Sequence, residues 1–469
     1  MKNVAFHNLG CKVNSYEIEV MQQKLSESGY VIVPFAPGAD IYIINTCTVT
    51  NIADRKSRQM LHKAKKMNPD AIVVATGCYV QTGEDQIEKD DCIDLAIGNN
   101  KKKDIVEILE KFIKKREQVR DDTLSCMADK TLNHATIPDI NHTDEYEEMQ
   151  LNRTADHTRA YIKIQDGCNQ FCTYCIIPYA RGRVRSRRQE NILSEIKGLV
   201  ANGYKEVVVT GIHMSSYGLD FLKKESGDYL EDTKDVREAV YKKEFLLNLL
   251  EEINAVDGLC RIRLGSLEPR IITERFAERL SRLEKICPHF HLSLQSGSDS
   301  VLKRMNRRYS CSEYYEKVGI LRKYFENVAI TTDIITGFPG ETEEEFAQTV
   351  DFVKKVDFYE THIFKYSKRQ GTIAAGMDGQ LTEAQKAARS DILLALAQEN
   401  GKRFRERFIG HQLEVLLEEQ KIINGKKYMV GHTKEYVQVA LETDADLSNV
   451  IVKGETTGFL TKDILLLNF

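Results

Sequence analysis

Three times within residues 1–78 the chain runs from a short apolar strand pattern straight into a cysteine: NVAFHNLGC at 3–11, DIYIINTC at 40–47 and AIVVATGC at 71–78. Helical stretches lie between them. Ile18, Met21 and Leu25 mark one face of the first, Gly29 ends it, and Asn14 with Glu17 has the spacing of a capping box. Ile52, Met60, Ala64 and Met67 mark a second helix, stopped at Asn68-Pro69. A fourth apolar run, IDLAIG at 93–98, precedes a helical stretch from Lys103 to Lys115. Strands separated by helices of this length predict a parallel sheet with covering helices, an α/β domain of Rossmann or flavodoxin-like type. In such a sheet the carboxyl ends of the strands gather along one edge, where ligands bind. Cys11, Cys47 and Cys78 are therefore expected at one point. Gly10 and Gly77 would let backbone approach a ligand closely.

The chain has eleven cysteines. Lys2 and Asn3 lead into the first strand with no leader-like apolar stretch, and no apolar run reaches bilayer length. These features predict a cytoplasmic protein with no membrane partner, in which thiols stay reduced. Cys92, Cys126, Cys260, Cys287 and Cys311 follow no pattern and read as small buried apolar groups. The strand-end trio does not. Structural zinc takes four protein ligands, and no fourth is evident near these three. Three thiolates with one open position suit an iron–sulfur cluster with an exchangeable iron.

At 469 residues the chain suggests three domains, and 42% hydrophobic with 29% charged residues is ordinary for a globular protein. Residues 1–116 hold the first cysteine set. Residues 117–153, rich in Asp, Asn, Thr and His, read as a linker wrapped on the surface. Residues 154–398 alternate again. Candidate strands are YIKI (161–164), EVVVT (206–210), RIRLG (261–265), FHLSL (290–294), VAITTDII (328–335) and ETHIFKY (360–366). Six such units fit a partial (β/α)6 barrel rather than a closed eight-fold one. Residues 221–244 are densely charged and read as a solvated insertion. Residues 399–469 begin with a basic segment, KRFRERF at 402–408, and continue as short strands with turns: a small all-β barrel of a kind that often binds RNA.

A second cysteine set opens the middle region. In CNQFCTYC, Cys168, Cys172 and Cys175 are spaced Cx3Cx2C. So compact a loop can place three sulfurs on three corners of one 4Fe–4S cube, leaving one iron open. Zinc would need a fourth Cys or His; His157 and His213 are at hand, but neither sits in a zinc spacing. Cx3CxΦC, with Tyr174 as Φ, resembles the signature of radical S-adenosylmethionine (SAM) enzymes. The resemblance implies that SAM binds the open iron through its amino and carboxylate groups. Electron transfer then cleaves SAM to methionine and a 5′-deoxyadenosyl radical. The three domains together resemble the methylthiotransferases, with the last module similar to a TRAM domain. NLGCKVNSYE (8–17) and NTCTVTNIADRKSRQ (45–59) are similar to the branch acting on N6-threonylcarbamoyladenosine in tRNA. GCKVN matches neither the GCQMN-like stretch of the isopentenyladenosine branch nor the GCPKN-like one of the ribosomal-protein branch.

The resemblance carries further expectations: two 4Fe–4S clusters, SAM, a tRNA anticodon loop as substrate, an electron donor such as flavodoxin or ferredoxin, and a sulfur source. One SAM methylates the sulfur held on the first cluster and another yields the radical, because the C2–H bond of adenine is inert to acid–base catalysis. No catalytic side chain beyond the cluster ligands is expected. The resemblance places Tyr174 by the SAM adenine, Thr210 and Gly211 at its amino group, and Ser293, Gln295 and Asp333 near its ribose or methionine part. Thr342 and Glu345 after GFPG also make a capping box. A net charge of −4 does not attract a polyanion, so RNA must be held locally. Arg181, Arg183, Arg185, Arg187 and Arg188 form a run that suits a phosphate path or the SAM carboxylate. KRMNRR (303–308) is a second patch. Residues 411–469 carry six Lys against nine Asp and Glu, so RNA contact by the β module falls to a few lysines and to Lys402, Arg403 and Arg405. His213 is expected in a structural or positioning role. A non-catalytic, metal-stabilised RNA-binding protein would account for the β module and the arginines, but not for an open position at each cysteine set.

Overall fold

The computed structural model describes residues 2–121, 134–153, 158–226 and 242–468. Cys126, His157 and the centre of the charged insertion lie outside the described residues. Among the described residues no helix is long and apolar enough to cross a membrane.

Strands β1 (Asn3–Asn8), β2 (Val31–Val33), β3 (Ile41–Thr46), β4 (Ile72–Gly77), β5 (Leu95–Ile97) and β6 (His134–Thr136) form one parallel sheet in the order β2-β1-β3-β4-β5-β6. The order is flavodoxin-like, extended by one strand. The chain leaves β1 first to one side and then to the other, so a crevice opens beyond the ends of β1 and β3. Both sheet faces are buried, which explains runs of apolar residues rather than alternation. Ile41 and Ile43 face the helices Lys12–Glu27 and Ile105–Asp121, while Tyr42 and Ile44 face Leu61 and Ala64 of the helix Asn51–Met67. Residues 117–153 do more than connect. They supply β6, and Met149 and Leu151 enter the core.

The middle region contains β7 (Arg159–Asp166), β8 (Arg185–Ser186), β9 (Glu206–Gly211), β10 (Arg261–Leu264), β11 (Ser266–Leu267), β12 (His289–Leu292), β13 (Ala329–Thr336) and β14 (Glu360–Lys365). Two sheets form, β10-β9-β7-β8 and β11-β12-β13-β14. Only Gly265 separates β10 from β11, and Ile262 bridges to Ile286, so the sheets curve into one open barrel. With β10 and β11 taken as one broken strand, six parallel strands result, as the sequence predicts. Thr342 and Glu345 do cap the helix Glu343–Val356 reciprocally.

Strands β15 (Gln412–Ile423), β16 (Lys426–His432), β17 (Gln438–Glu442), β18 (Ile451–Phe459) and β19 (Leu465–Asn468) close a small barrel. The helix Glu383–Glu406 runs unbroken across residue 398 and delivers Phe404 into that barrel's core. The small barrel docks on the amino ends of the middle strands. Arg261 donates to the His432 carbonyl (2.9 Å), Arg263 to the Lys434 and Thr433 carbonyls, and Arg159 pairs with Glu418 (3.2 Å). The Tyr436 ring lies against both Arg159 and Arg263. That end of the open barrel is thereby plugged, and the opposite end carries the cysteines.

Candidate active site at the seam of two cysteine sets

β1, β3 and β4 are neighbours in the sheet, with Asn8 beside Asn45 and Thr46 beside Gly77. Register alone therefore gathers Cys11, Cys47 and Cys78. The two glycines are needed for a nearer reason than the approach of a ligand. Gly77 has φ +101°, and a Cβ there would lie 2.5 Å from the Thr46 carbonyl; Gly10 has φ +121° and would press on Asn14 and Cys47. Tight crossing of the loops is what brings the thiols together. All three are free. Burial pushes the Cys47 thiol up to about 12, with Cys78 adding to it, and raises Cys11 as well.

The second set lies on the loop after β7, at the carboxyl end of the open barrel. Phe171 takes φ +49° there, and the Asn306 amide donates to the Phe171 carbonyl (3.0 Å), which pins the loop. Cys168, Cys172 and Cys175 are free. Burial pushes Cys175 up to about 12 and Cys168 higher, with the neighbouring thiols adding in both cases. Arg307 donates to the Cys172 sulfur (3.4 Å) and to the Ser293 carbonyl (3.4 Å). Burial opposes the charge of Arg307, but Tyr309 and Cys172 outweigh it and keep the guanidinium protonated.

The two sets meet. The short helix Cys78–Thr82 packs on the helix Ile177–Arg181, which follows Cys175 directly. Arg181 crosses the seam: its Nε donates to the Cys78 sulfur (3.3 Å), and its other nitrogens to Glu17 (2.5 Å), Asp166 (3.2 Å) and the Asn14 side chain (2.6 Å). Asn99 donates to Cys78 (3.7 Å) and to the Ala180 carbonyl (2.7 Å). Glu17 also takes Lys102 and Lys163. Asn14 and Glu17 are therefore no capping box. The helix begins at Lys12 with Cys11 as its N-cap, so the i,i+3 spacing turns both side chains toward the second domain.

Glu17 and Asp166 face Arg181, Lys163, Lys102 and Arg185, and the buried Glu147 lies near Lys163 and Lys102, so three carboxylates stand against four cations in a dry cluster. The excess is positive and lies against a cysteine set. Iron bound to three thiolates would bring the negative charge that offsets it, so the residues of both sets fit a 4Fe–4S group with Arg181 and Arg307 as their cationic neighbours. Replacing Glu17 with alanine leaves three buried cations short of a carboxylate. It is expected to cost about 3–5 kcal/mol, read as a lower midpoint of thermal unfolding under anaerobic conditions. An unchanged midpoint would show that Asp166 and Glu147 hold them.

The arginine run is corrected for three of its five members. Arg181, Arg185 and Arg187 are at most 1% exposed. Arg185 donates to the Arg181 and Arg183 carbonyls, and Arg187 pairs with Glu195 and Glu148. They knit the seam and have no surface to offer a phosphate. Arg183 lies over the Phe171 ring (4.7 Å), and Arg188 is exposed near Phe221. At the other expected RNA contact, Arg405 is buried and within 3.4 Å of Asp463, Arg403 pairs with Asp357 (2.6 Å), and Lys402 lies 3.7 Å from Glu406. The segment carries apolar residues inward, and its cations are answered by local carboxylates.

Of the residues expected around SAM, Thr210 and Gly211 end β9, beside Lys163 and Gln165 of β7. Ser293 and Gln295 follow β12, and the Gln295 amide donates to the Asp333 carbonyl (2.9 Å). Tyr174 lies edge-on to Phe338. The Asp333 carboxylate lies 3.2 Å from the His291 Nε2 on the neighbouring strand. Burial pushes His213 down to about 4, so it stays neutral; its Nδ1 meets Ser216 (2.7 Å) and its amide donates to Gln165 (2.7 Å). Sequence reasoning missed Asn99, the bridging role of Arg181 and the bond to Cys172 from Arg307, which it placed only in the KRMNRR patch. No local spacing marks them, because each partner lies far along the chain.

A cleft of about 870 Å³ opens over the seam. Arg58, Lys368 and Arg369 line it with Tyr79, Tyr179, Glu84, Asp85 and Asp54, the last paired with Arg369 (2.5 Å).

Comparison with known proteins agrees with this architecture. The profile of the Radical SAM superfamily matches residues 162–353, and that of the uncharacterized protein family UPF0004 matches residues 3–98. The chain is 39% identical to the threonylcarbamoyladenosine tRNA methylthiotransferase MtaB of Bacillus subtilis, covering 97% of this chain and 93% of that protein. It is 36% identical to the MtaB of Aquifex aeolicus, covering 93% and 98%. It is 33% identical to a tRNA-2-methylthio-N(6)-dimethylallyladenosine synthase of Moorella thermoacetica, covering 96% and 94%. Among solved structures, the radical SAM methyltransferase TsrM of Kitasatospora setae superposes with a TM-score of 0.51 at 15% identity, covering 78% of this chain and 75% of that one. At that identity the likeness is one of fold alone.

Proposed function

We propose, from the premise that this chain belongs to the radical SAM methylthiotransferase family, that it converts N6-threonylcarbamoyladenosine at position 37 of tRNA, beside the anticodon, to the 2-methylthio derivative. The observation that carries this reading is the packing together of the elements that hold two three-cysteine sets, with Arg181, on the helix after Cys175, bonded to Cys78. The nearly full-length identity to proteins named for that substrate supports the choice of base.

Family membership brings SAM and one 4Fe–4S cluster, which Cys168, Cys172 and Cys175 would hold. A second cluster belongs on Cys11, Cys47 and Cys78. Bound there, the two groups supply the radical that activates the inert C2–H bond and the sulfur that replaces it. The chain's own residues do the rest. Arg307 and Arg181 keep positive charge at one thiolate of each set. Thr210, Gly211, Ser293, Gln295 and Tyr174 line the carboxyl end of the open barrel, where SAM would lie. The anticodon loop is single-stranded, so its base can be splayed out at modest cost and stacked on aromatic rings. Tyr179, 41% exposed in the cleft over the seam, is such a ring, with Arg58 and Lys368 lining the same cleft for phosphate. Arg183, over the Phe171 ring beside Tyr179, extends that path. The small C-terminal barrel, read as a TRAM module, can contact RNA only by faces turned away from Thr433–Tyr436. The electron donor, a flavodoxin or ferredoxin, and the sulfur source act from outside the chain, in the cytoplasm.

Nucleoside mass analysis of tRNA from a strain lacking the gene tests the reading. Loss of the 2-methylthio form, with threonylcarbamoyladenosine accumulating, is expected. Loss of 2-methylthio-isopentenyladenosine instead would overturn it.

A further inference from the structure

The three thiols of the second set are not served alike. The Gln170 backbone amide donates to the Cys168 sulfur (3.5 Å), and Arg307 donates through one Nη to the buried Cys172 sulfur (3.4 Å). Among the described residues no other side chain donates to a sulfur of this set. Arg307 is held in place at each of its nitrogens. Its Nε donates to the Tyr309 hydroxyl (2.9 Å), which rests between the Ser293 and Leu294 carbonyls, and its other Nη donates to the Ser293 carbonyl (3.4 Å). The residues just before it hold the cysteine loop. The Thr173 amide donates to the Met305 carbonyl (3.1 Å), the Thr173 hydroxyl to the Arg304 carbonyl (2.9 Å), and the Asn306 side chain to the Phe171 carbonyl (3.0 Å). One short segment, 304–307, therefore positions the loop and delivers a single charge to it. The protein leaves that charge uncompensated. Arg181, which donates to Cys78 in the first set, is met by Glu17 and Asp166. Arg307 forms no ion pair among the described residues, and Glu268, whose charge reaches it, is held by Arg270 (2.5 Å).

We propose that Arg307 sets the reduction potential of the 4Fe–4S group held by Cys168, Cys172 and Cys175, raising it into the reach of the external electron donor. The inference rests on the assignment of that group above and not on the choice of tRNA base. Reduction takes up one electron from the donor, makes and breaks no bond, and adds one negative charge beside three thiolates. Hydrogen bonds to the sulfurs and nearby net charge tune such potentials. A guanidinium keeps its proton, so its N–H and its charge at Cys172 favour the more negative state. The SAM carboxylate is the other anion that an uncompensated guanidinium could take. The geometry points to the sulfur, because each nitrogen of Arg307 already has an acceptor and one of those acceptors is Cys172.

The test is a redox titration of the reconstituted holoenzyme, followed by electron paramagnetic resonance with and without SAM. The transition that moves when SAM is added belongs to the second set. A hydrogen bond to a charged group shifts an equilibrium by about 10- to 100-fold. R307Q should therefore lower that transition by about 60–120 mV, the same factor expressed for one electron. The other transition should stay in place and iron per chain should not change. R307K, whose shorter and unforked ammonium leaves the bond to Cys172 but keeps the charge nearby, should fall part of the way. A wild-type potential in R307Q overturns the proposal, and weaker SAM binding by that same variant would assign Arg307 to the SAM carboxylate instead. Should R307Q not retain its iron, a wild-type potential in R307K overturns it. Equal falls of both transitions would also overturn it, since they would report a general loosening rather than a bond at Cys172. If the wild type shows no transition that responds to SAM, the assignment of the second set has failed, and the inference with it.

Discussion

Replacing Cys168, Cys172 and Cys175 together with alanine is expected to abolish reductive cleavage of SAM. The three thiols are the soft ligands on the loop that closes the carboxyl end of the open barrel, and Arg307 donates to one of them. Without them that loop keeps no thiol to bind iron. The loop is also held by the Asn306 amide and by Thr173, whose hydroxyl donates to the Arg304 carbonyl (2.9 Å), so the fold should survive the change. The measurement is 5′-deoxyadenosine formed anaerobically with a chemical reductant and no RNA, together with iron per chain. Iron should fall from about eight to about four, as for loss of one of two four-iron clusters. Wild-type 5′-deoxyadenosine formation by the triple variant would place the radical site elsewhere.

The corresponding change of Cys11, Cys47 and Cys78 to alanine should separate the two halves of the chemistry. Arg181 loses one partner, Cys78, but keeps Glu17, Asp166 and Asn14, so the seam holds. The second cysteine set has its own ligands on a local loop and should still assemble. Reductive SAM cleavage then continues, while no 2-methylthio product forms. If these cysteines only packed the sheet, each truncation would cost some stability and leave iron and product unchanged. Iron, 5′-deoxyadenosine and modified nucleoside measured on one reconstituted sample decide between the two. Full methylthiolation by that variant would sink the two-cluster mechanism.

Much of the architecture was legible in the chain. Runs such as DIYIINTC carry their strand period, their burial on both faces and the position of the thiol within a few residues. The second set is legible for the same reason, since its spacing is local. The reading of Asn14 and Glu17 as a cap failed because a capping box and a buried i,i+3 pair share one spacing. The choice between them lies with Lys102, Lys163 and Arg181, which are far off in sequence. RGRVRSRR misled in the same way. A run of arginines is usually a solvated face, yet here Glu17, Asp166, Glu195 and Glu148 come from four separate elements to neutralise it.

What the sequence determined by itself is the set of units: three strands ending in thiols, a three-cysteine loop, six β/α repeats and a short-stranded tail. Each follows from periodicities and spacings of a few residues, because backbone hydrogen bonding and side-chain alternation are local. The relation between the units was decided only by tertiary structure. The packing of the Cys78 helix on the helix after Cys175, the reach of Arg181 from that second helix to Cys78, and the docking of the last barrel on the closed end all depend on burial. A buried guanidinium is tolerated only where distant carboxylates converge on it, and no local pattern records that convergence.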